Sequence, residues 1–163
     1  MLQVVLYHPA IPQNTGNIAR STVGFDAALH LIHPMCFEVS DHAAQRAGLD
    51  YWPHVRLTEH PHDDAFLTWL DGHLARHDAA AWLVTKFGET RFDRAAFGPW
   101  DVLVLGNENT GLPESWHDRW GRDFPGRRLH IPMPGEAHSN IRSFNLANAA
   151  AIVLATATAQ QLT

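Results

Sequence analysis

Short apolar runs separated by amphipathic segments constrain the fold of this chain more than any other feature. Residues 2–7, 28–34 and 100–106 are rich in valine, leucine and isoleucine, and each run contains adjacent apolar residues rather than a strict apolar–polar alternation. Such strands are typical of sheets that are covered on both faces, and those sheets are nearly always parallel. The sequence therefore predicts an α/β fold with a mainly parallel sheet and helices on both faces.

The segments between these runs have the apolar spacing and the capping residues of helices. We expect Asn14 or Thr15 to cap the first helix and Pro113 to be the first residue of a later one. The further predicted strands are residues 54–58, 79–85 and 127–133, and the predicted helices are residues 16–25, 40–48, 62–77, a segment from 113 onward, and 143–160.

Length and composition narrow the class of protein. A chain of 163 residues fits one domain, predicted to span residues 1–163. No apolar run approaches the ~18 residues that cross a bilayer, and the N-terminal segment lacks the features of a signal peptide. The single cysteine, Cys36, excludes an internal disulfide and is typical of a reducing compartment. We expect a cytoplasmic protein that makes no membrane contact.

The overall charge argues against non-specific binding to nucleic acid. The net charge is −5, whereas proteins that hold a nucleic-acid backbone non-specifically are usually basic. One local exception is the segment 118–130, in which four arginines stand against two aspartates, for a net charge of +2. This segment includes Arg127 and Arg128.

The carboxyl ends of the predicted strands are followed by polar loops, which is where ligands bind in open parallel sheets. Residues 8–17, 106–113 and 132–148 are rich in Gly, Asn, Ser and Pro. The familiar cofactor motifs are absent from these loops: there is no Gly-rich turn after the first strand, no GxxxxGK[ST] and no GxSxG. The twelve histidines include no HExxH pattern, so we predict no bound metal.

Three of these segments form a specific combination. "NTGNIAR" at 14–20, "VLGNENTGLP" at 104–113, and "IPM" at 131–133 followed by "RSFNLANAAAIVL" at 142–154 resemble, in order and spacing, the three motifs of SPOUT ribose methyltransferases. With "HPM", "RAGLDY" and "TK" at 85–86, the chain resembles the tRNA (cytidine/uridine-34-2′-O)-methyltransferases, which act on the wobble nucleotide of certain leucine tRNAs. The resemblance implies a C-terminal trefoil knot, a homodimer, no added RNA-binding domain, and the tRNA anticodon stem-loop as partner.

The resemblance also implies a cofactor and its site. The methyl donor is expected to be S-adenosyl-L-methionine, with S-adenosyl-L-homocysteine as product and no metal. The family's cofactor positions fall on Leu83, Gly106, Ile131 and Ser143.

The residues for substrate and catalysis follow from the same motifs. Asn14, Asn17 and Arg20 are expected at the RNA ribose and phosphate, and Ser143 is expected to assist Arg20. Arg20 either accepts the 2′-hydroxyl proton or stabilises the developing oxyanion while water or phosphate accepts the proton, because a guanidinium normally stays protonated. Glu108 is expected to order Arg20 or the substrate. Asn145 completes the catalytic set, as the residue that positions Ser143 or the methionine end of the cofactor.

Some positions depart from the family pattern. Asn107 and Thr110 replace a proline and an arginine of the second motif, and residues 134–142 extend the third. We expect Arg127 and Arg128 to bind tRNA if they lie beside the cofactor cleft. The alternatives are methylation of another tRNA or rRNA ribose, a non-catalytic RNA-binding relative, or a nucleotide-binding metabolic enzyme that uses the histidines.

Overall fold

The computed structural model describes residues 1–39 and 49–162. The helix predicted at 40–48 lies outside the described residues.

One parallel sheet organises the described part of the chain. All of the strand pairings run parallel, in the order β3-β2-β1-β6-β4-β7-β5. The predicted α/β class with a mainly parallel sheet is therefore confirmed. The strands are β1 Gln3–Tyr7, β2 Ala28–Ile32, β3 Arg56–His60, β4 Ala81–Val84, β5 Thr90–Arg91, β6 Val102–Leu105 and β7 Arg128–His130.

Helices cover both faces of the sheet, as predicted. They are α1 Pro12–Gly24, α2 Asp63–His77, α3 Glu114–Asp123 and α4 Leu146–Gln161. On one face, Ile18 of α1 and Leu154 of α4 are fully buried against β1, β2 and β6. On the other face, Phe66 of α2 and Trp120 of α3 are fully buried against the opposite side chains of the same strands. Both faces exclude water, which explains why the strands are apolar at consecutive positions.

The first helix begins earlier than predicted. It starts at Pro12, whose fixed φ suits the first helical position, and its N-cap residue is Ile11 without a side-chain bond. Asn14 and Thr15 therefore lie inside the helix and are buried, at 6% and 2% exposure. The prediction that one of them caps the helix is wrong, because Pro12 starts the helix two residues before Asn14.

Two other predicted helix starts need correction, and one strand was not predicted. Helix α4 begins at Leu146, because the Asn145 side chain accepts from the backbone N–H groups of the first turn. Helix α3 begins at Glu114, so Pro113 precedes it as N-cap residue rather than being its first residue. The two-residue strand β5 was not predicted, because Thr90 and Arg91 lack an apolar pattern.

The turn after β4 passes very close to β7. Because β7 lies between β4 and β5 in the sheet, the segment that joins β4 to β5 has to cross it. It does so at Gly88, where an added Cβ would lie 2.4 Å from the carbonyl carbon of Leu129. Only glycine allows this approach. The trefoil knot itself stays a prediction.

No helix in residues 1–39 and 49–162 is both long and apolar enough to cross a membrane.

Candidate active site

A cavity of about 470 Å³ lies at the carboxyl ends of β4, β6 and β7. Its walls come from the segments that leave these three strands and from the N-terminal ends of α1 and α4. Three loops that are distant in sequence meet here. Of the residues predicted from the motifs, those lining the cavity are Asn14, Gly106, Glu108, Ile131, Ser143 and Asn145.

Asn14, on α1, joins the loop after β6 to the segment after β7 through its side-chain amide. Its Nδ2 donates to Glu108 Oε1 at 3.2 Å, and its Oδ1 accepts from Asn145 Nδ2 at 3.0 Å. Asn145 Oδ1 in turn accepts from the backbone N–H of Ala147 at 2.9 Å, as the N-cap of α4. Both ends of the Asn14 amide are used, which sets its orientation. The motif residues Asn14, Glu108 and Asn145 therefore form one hydrogen-bonded unit.

Glu108 stabilises the beginning of α1. Its carboxylate accepts from the backbone N–H of Ala10 at 2.8 Å and of Ile11 at 3.2 Å, in addition to Asn14. The first turn of α1 has no acidic residue of its own, and a negative charge at a helix N-terminus is favourable. Glu108 thus acts on the α1 N-terminus and on Asn14, and none of its described hydrogen bonds involves Arg20.

The loop after β6 is a tight turn that Asn107 holds closed. Asn107 Oδ1 accepts from the backbone N–H of Asn109 at 2.8 Å and of Thr110 at 3.1 Å. Its backbone pairs with Gly111, which has a φ of 69°, in the left-handed region that glycine tolerates. An added Cβ on Gly106 would lie 2.7 Å from the Gly111 carbonyl carbon. Asn107, noted above as a departure from the family pattern, therefore builds the loop.

Arg20 lies on α1 but does not line the cavity. Its guanidinium carbon is 5.5 Å from the ring centroid of Tyr51. The Tyr51 hydroxyl donates to the carbonyl of Gly16, one turn before Arg20, at 2.8 Å. Burial raises the pKa of Tyr51 although the positive charge of Arg20 opposes this shift, so the hydroxyl stays protonated and remains a donor. Tyr51 was not predicted as a site residue, although it is the tyrosine of "RAGLDY".

The remaining predicted residues lie away from the cavity lining. Leu83 is fully buried in the sheet, one residue before Val84, which lines the cavity. Asn17 is exposed on α1. The guanidinium carbon of Arg127 lies 5.5 Å from the Trp82 ring centroid. Nε of Arg128 lies 2.7 Å from Glu89 Oε2.

The basic segment 118–130 is largely neutralised where the structure describes it. Arg119 pairs with Asp71 at 2.8 Å and Arg122 with Asp123 at 2.8 Å, in addition to the pair formed by Arg128. Neither Arg127 nor Arg128 lines the cavity, and their contact with tRNA stays a prediction.

The cavity also contains residues that sequence reasoning missed. Lys86 and Phe87 follow β4, and His117 lies in the first half of α3. Burial, with a smaller contribution from the positive Arg128, lowers the pKa of His117, so its ring is neutral at physiological pH. The "TK" dipeptide at 85–86 was the only signal in the sequence, whereas His117 becomes part of the site only when α3 packs beside the loop after β4.

The side chains of residues 1–39 and 49–162 do not meet the needs of a metal-binding site. No group of three or more His, Cys, Asp or Glu side chains in these ranges is arranged to hold a metal ion.

A parallel sheet with a cavity of this size at its carboxyl edge defines a class, the α/β proteins that bind their ligand beyond the strand ends. The family described as the SpoU rRNA Methylase family matches residues 1–155. The chain therefore belongs to this family of methyltransferases, and the resemblance found in its three motifs is confirmed.

Individual relatives agree with this membership. A tRNA (cytidine(34)-2′-O)-methyltransferase of Burkholderia pseudomallei is 39% identical over 155 residues, which are 94% of this chain and 92% of the relative. A solved structure described as giving structural insights into the 2-OH methylation of C/U34 on tRNA has a TM-score of 0.82 and 40% identity, covering 99% of this chain and 97% of that one. The SpoU methyltransferase AviRb from Streptomyces viridochromogenes, solved in complex with AdoMet, has a TM-score of 0.81 at 23% identity, covering 100% of this chain and 58% of that one. This last similarity is one of fold.

Proposed function

We propose that this protein transfers a methyl group from S-adenosylmethionine to the ribose 2′-hydroxyl of nucleotide 34 in tRNA, with leucine tRNAs as the preferred substrates. The observation that carries the proposal is the Asn14–Glu108–Asn145 unit at the edge of the cavity. It brings together one residue from each of the three motifs that the sequence shares with ribose methyltransferases. The names of the relatives that are similar over nearly the whole chain support nucleotide 34 as the target.

The cavity suits this cofactor. Its volume of about 470 Å³ is in the range of small-molecule sites. The apolar Leu105 and Ile131 suit the faces of a purine, while the backbone of the loop after β6 offers polar groups next to Gly106. We propose that Gly106, Ile131 and Ser143 hold the cofactor, with Leu83 supporting the sheet beneath it. When bound, S-adenosylmethionine supplies a methyl group made electrophilic by the sulfonium.

The residues around the cavity then have separate tasks. Asn14 presents a fixed amide beside the space that the acceptor ribose has to enter, and Glu108 and Asn145 keep it from rotating. Ser143 is exposed at the cavity, and no hydrogen bond of its hydroxyl is seen among the described residues. It is therefore available to the cofactor or to the acceptor hydroxyl. Alignment of acceptor and donor is the main demand of a methyl transfer.

We assign Arg20 to charge stabilisation rather than to proton removal. A guanidinium can stabilise negative charge that develops on the 2′-oxygen but is a poor proton acceptor. Tyr51 holds it in place from one side. Water or an RNA phosphate is then the proton acceptor.

A homodimer explains why Arg20 is remote from the cavity lining of its own chain. Six residues along α1 separate Asn14 from Arg20, so with 3.6 residues per turn the two side chains leave the helix on different sides. We propose that Arg20 of one protomer completes the site of the other. We also propose that the enzyme works in the cytoplasm, where tRNA is available. Sedimentation of the purified protein tests the dimer.

The decisive experiment labels the product. The protein is incubated with methyl-labelled S-adenosylmethionine and total tRNA from a strain that lacks its own enzyme for this position, and the labelled nucleoside is identified and mapped. We expect a 2′-O-methylpyrimidine at nucleotide 34 of leucine tRNAs. Label at another tRNA position, or in rRNA supplied separately, would show that the reaction is as proposed but that the substrate is a different one. Cofactor binding without label in any RNA supports a non-catalytic RNA-binding relative.

A further inference from the structure

Phe87 is an apolar ring that the protein holds out into solvent at the mouth of the cavity. The residue is 68% exposed although it lies among those that line the site. A single exposed apolar residue is common on protein surfaces, so what distinguishes Phe87 is its place at the entrance of the cavity.

The turn that carries Phe87 is rigid. The backbone N–H of Phe87 donates to Thr85 Oγ1 at 3.3 Å, and the N–H of Gly88 donates to the Thr85 carbonyl at 3.3 Å. Gly88 itself is held against the backbone of β7, where no Cβ fits. The backbone that carries the ring is therefore held in position before any ligand arrives, which reduces the entropy lost on binding.

The neighbours of the ring are a cation and a neutral imidazole. The Lys86 ammonium lies 5.0 Å from the Phe87 ring centroid, and His117 meets the ring edge-on with centroids 6.1 Å apart. No carboxylate pairs with Lys86 in the described part of the chain, so its charge is available to a ligand. An aromatic ring next to an unpaired cation is the combination that binds single-stranded nucleic acid, with the ring stacking on a base and the cation meeting a phosphate.

We propose that Phe87 is a stacking platform for an unpaired base of the substrate RNA next to the methylated nucleotide, and that Lys86 binds a phosphate of the same strand. The inference rests on the proposed function, because it deepens the RNA site of the same cavity. Bases that flank nucleotide 34 are unpaired in an anticodon loop, so one of them can leave its neighbours and stack on the ring. The occupant is a base rather than the cofactor, because the ring lies at the mouth and is mostly solvent-exposed.

The test measures stacking separately from turnover. Anticodon stem-loop RNAs are prepared with 2-aminopurine at position 33 or 35. The fluorescence of 2-aminopurine falls when this base stacks. Each RNA is titrated with protein that is saturated with S-adenosylhomocysteine. We expect one of the two probes to be quenched by the wild-type protein and by Phe87→Trp. Phe87→Leu should abolish this quenching and raise the Kd for RNA about 5- to 100-fold, the range that corresponds to loss of one stacked base. Phe25→Leu, at another exposed phenylalanine, should behave as wild type.

Lys86 and the cofactor supply independent readouts. Lys86→Gln should reduce the dependence of RNA affinity on salt by about one phosphate contact, and Lys86→Arg should restore it. The Kd for S-adenosylmethionine should stay within about twofold of wild type in Phe87→Leu. The inference is overturned if Phe87→Leu still quenches the probe that the wild-type protein quenches, if it weakens binding of the cofactor instead of the RNA, or if it only dissociates a dimer. If the wild-type protein quenches neither probe, the proposed stacking role of Phe87 is also wrong, even if the protein methylates nucleotide 34. Strong quenching without any methyl transfer would instead overturn the proposed function, and it would still support the stacking role of Phe87.

Discussion

Asn145 Nδ2 donates a 3.0 Å hydrogen bond to Asn14 Oδ1, although 131 residues separate the two asparagines in sequence. The same Asn145 side chain caps α4 through its oxygen, and the same Asn14 side chain donates to Glu108. If the Asn14 amide rotated to suit a substituted residue 145, Asn14 would lose its hydrogen bond to Glu108. One asparagine pair thereby couples the start of α4 to the N-terminal half of α1 at the cavity.

Replacing Asn145 by aspartate separates its two roles. Asn145→Asp keeps an oxygen that can cap α4 but presents an acceptor to Asn14 Oδ1, so the bond between the loops is lost. We expect the melting temperature to stay near wild type while kcat/KM for tRNA falls about tenfold, which corresponds to ~1.4 kcal/mol of lost positioning. Asn145→Ala should lose the cap as well and be destabilised by about 1 kcal/mol. Thermal unfolding and initial rates measure these effects, and wild-type turnover in Asn145→Asp would contradict the assignment.

The crossing of β7 by the turn after β4 predicts a strong effect at Gly88. A Cβ at this position would lie within 2.4–2.7 Å of backbone atoms of residues 128–130, and backbone cannot move aside as a side chain does. Gly88→Ala should lower the free energy of unfolding by about 3 kcal/mol or more, measured by denaturant titration. Gly72→Ala is the matched control, because a Cβ there meets nothing within 4 Å and the position lies inside α2. It should stabilise the protein by about 0.5–1 kcal/mol, and equal effects of the two substitutions would refute the crossing.

A buried histidine pair predicts loss of stability in acid. His30 is 3% exposed and bonds to Gln3 and His60, and burial together with the neighbouring His60 lowers its pKa to about 3. Burial lowers the pKa of His60 too. The unfolded chain therefore binds more protons than the folded one between about pH 3 and the ordinary histidine value of 6.5. Stability should be complete above pH 6.5 and fall as the pH drops below it, by up to about 1.4 kcal/mol per pH unit for each such histidine.

Urea unfolding between pH 4.5 and 8 measures this slope. His30→Gln should flatten it, whatever the variant does to the stability at neutral pH. His54→Gln, at an exposed histidine, should leave the slope as in wild type. A wild-type curve that is flat from pH 6.5 to 4.5 would show that His30 does not stay neutral in the folded protein.

The contact of Tyr51 with Arg20 predicts graded effects on catalysis. Tyr51→Phe keeps the ring beside the guanidinium and loses only the hydroxyl bond to Gly16, so we expect kcat to fall less than about threefold. Tyr51→Leu removes the ring as well and should lower kcat further, with the Kd for S-adenosylmethionine unchanged. Arg20→Lys keeps the charge but loses the planar group that stacks on the ring, and should lower kcat most. Cofactor affinity that falls together with kcat in Tyr51→Leu would speak against a role limited to Arg20.

Local patterns in the sequence were sufficient for the layers of the fold and for much of the candidate site. Consecutive apolar residues in β1, β2 and β6 show burial on both faces, and this follows from nearest-neighbour chemistry alone. The three motifs named Asn14, Glu108 and Asn145 without any knowledge of their contacts, because short segments with specific polar residues carry that information. The bounds of α1 were missed since Ile11 gives no capping signal and the stabilising carboxylate comes from Glu108, 97 residues away.

The chain order of residues determined that this protein has a two-sided parallel sheet with polar loops at one edge. Only the tertiary structure decided that β7 inserts between β4 and β5, that Gly88 crosses it, and that Tyr51 lies against Arg20. It also decided that His117 and Phe87 line the same cavity, and that Arg128 forms an ion pair with Glu89. The physical reason is that propensity and periodicity act over a few residues, whereas these contacts join segments tens of residues apart. Their free energy depends on close packing and desolvation, which arise only once the sheet has assembled.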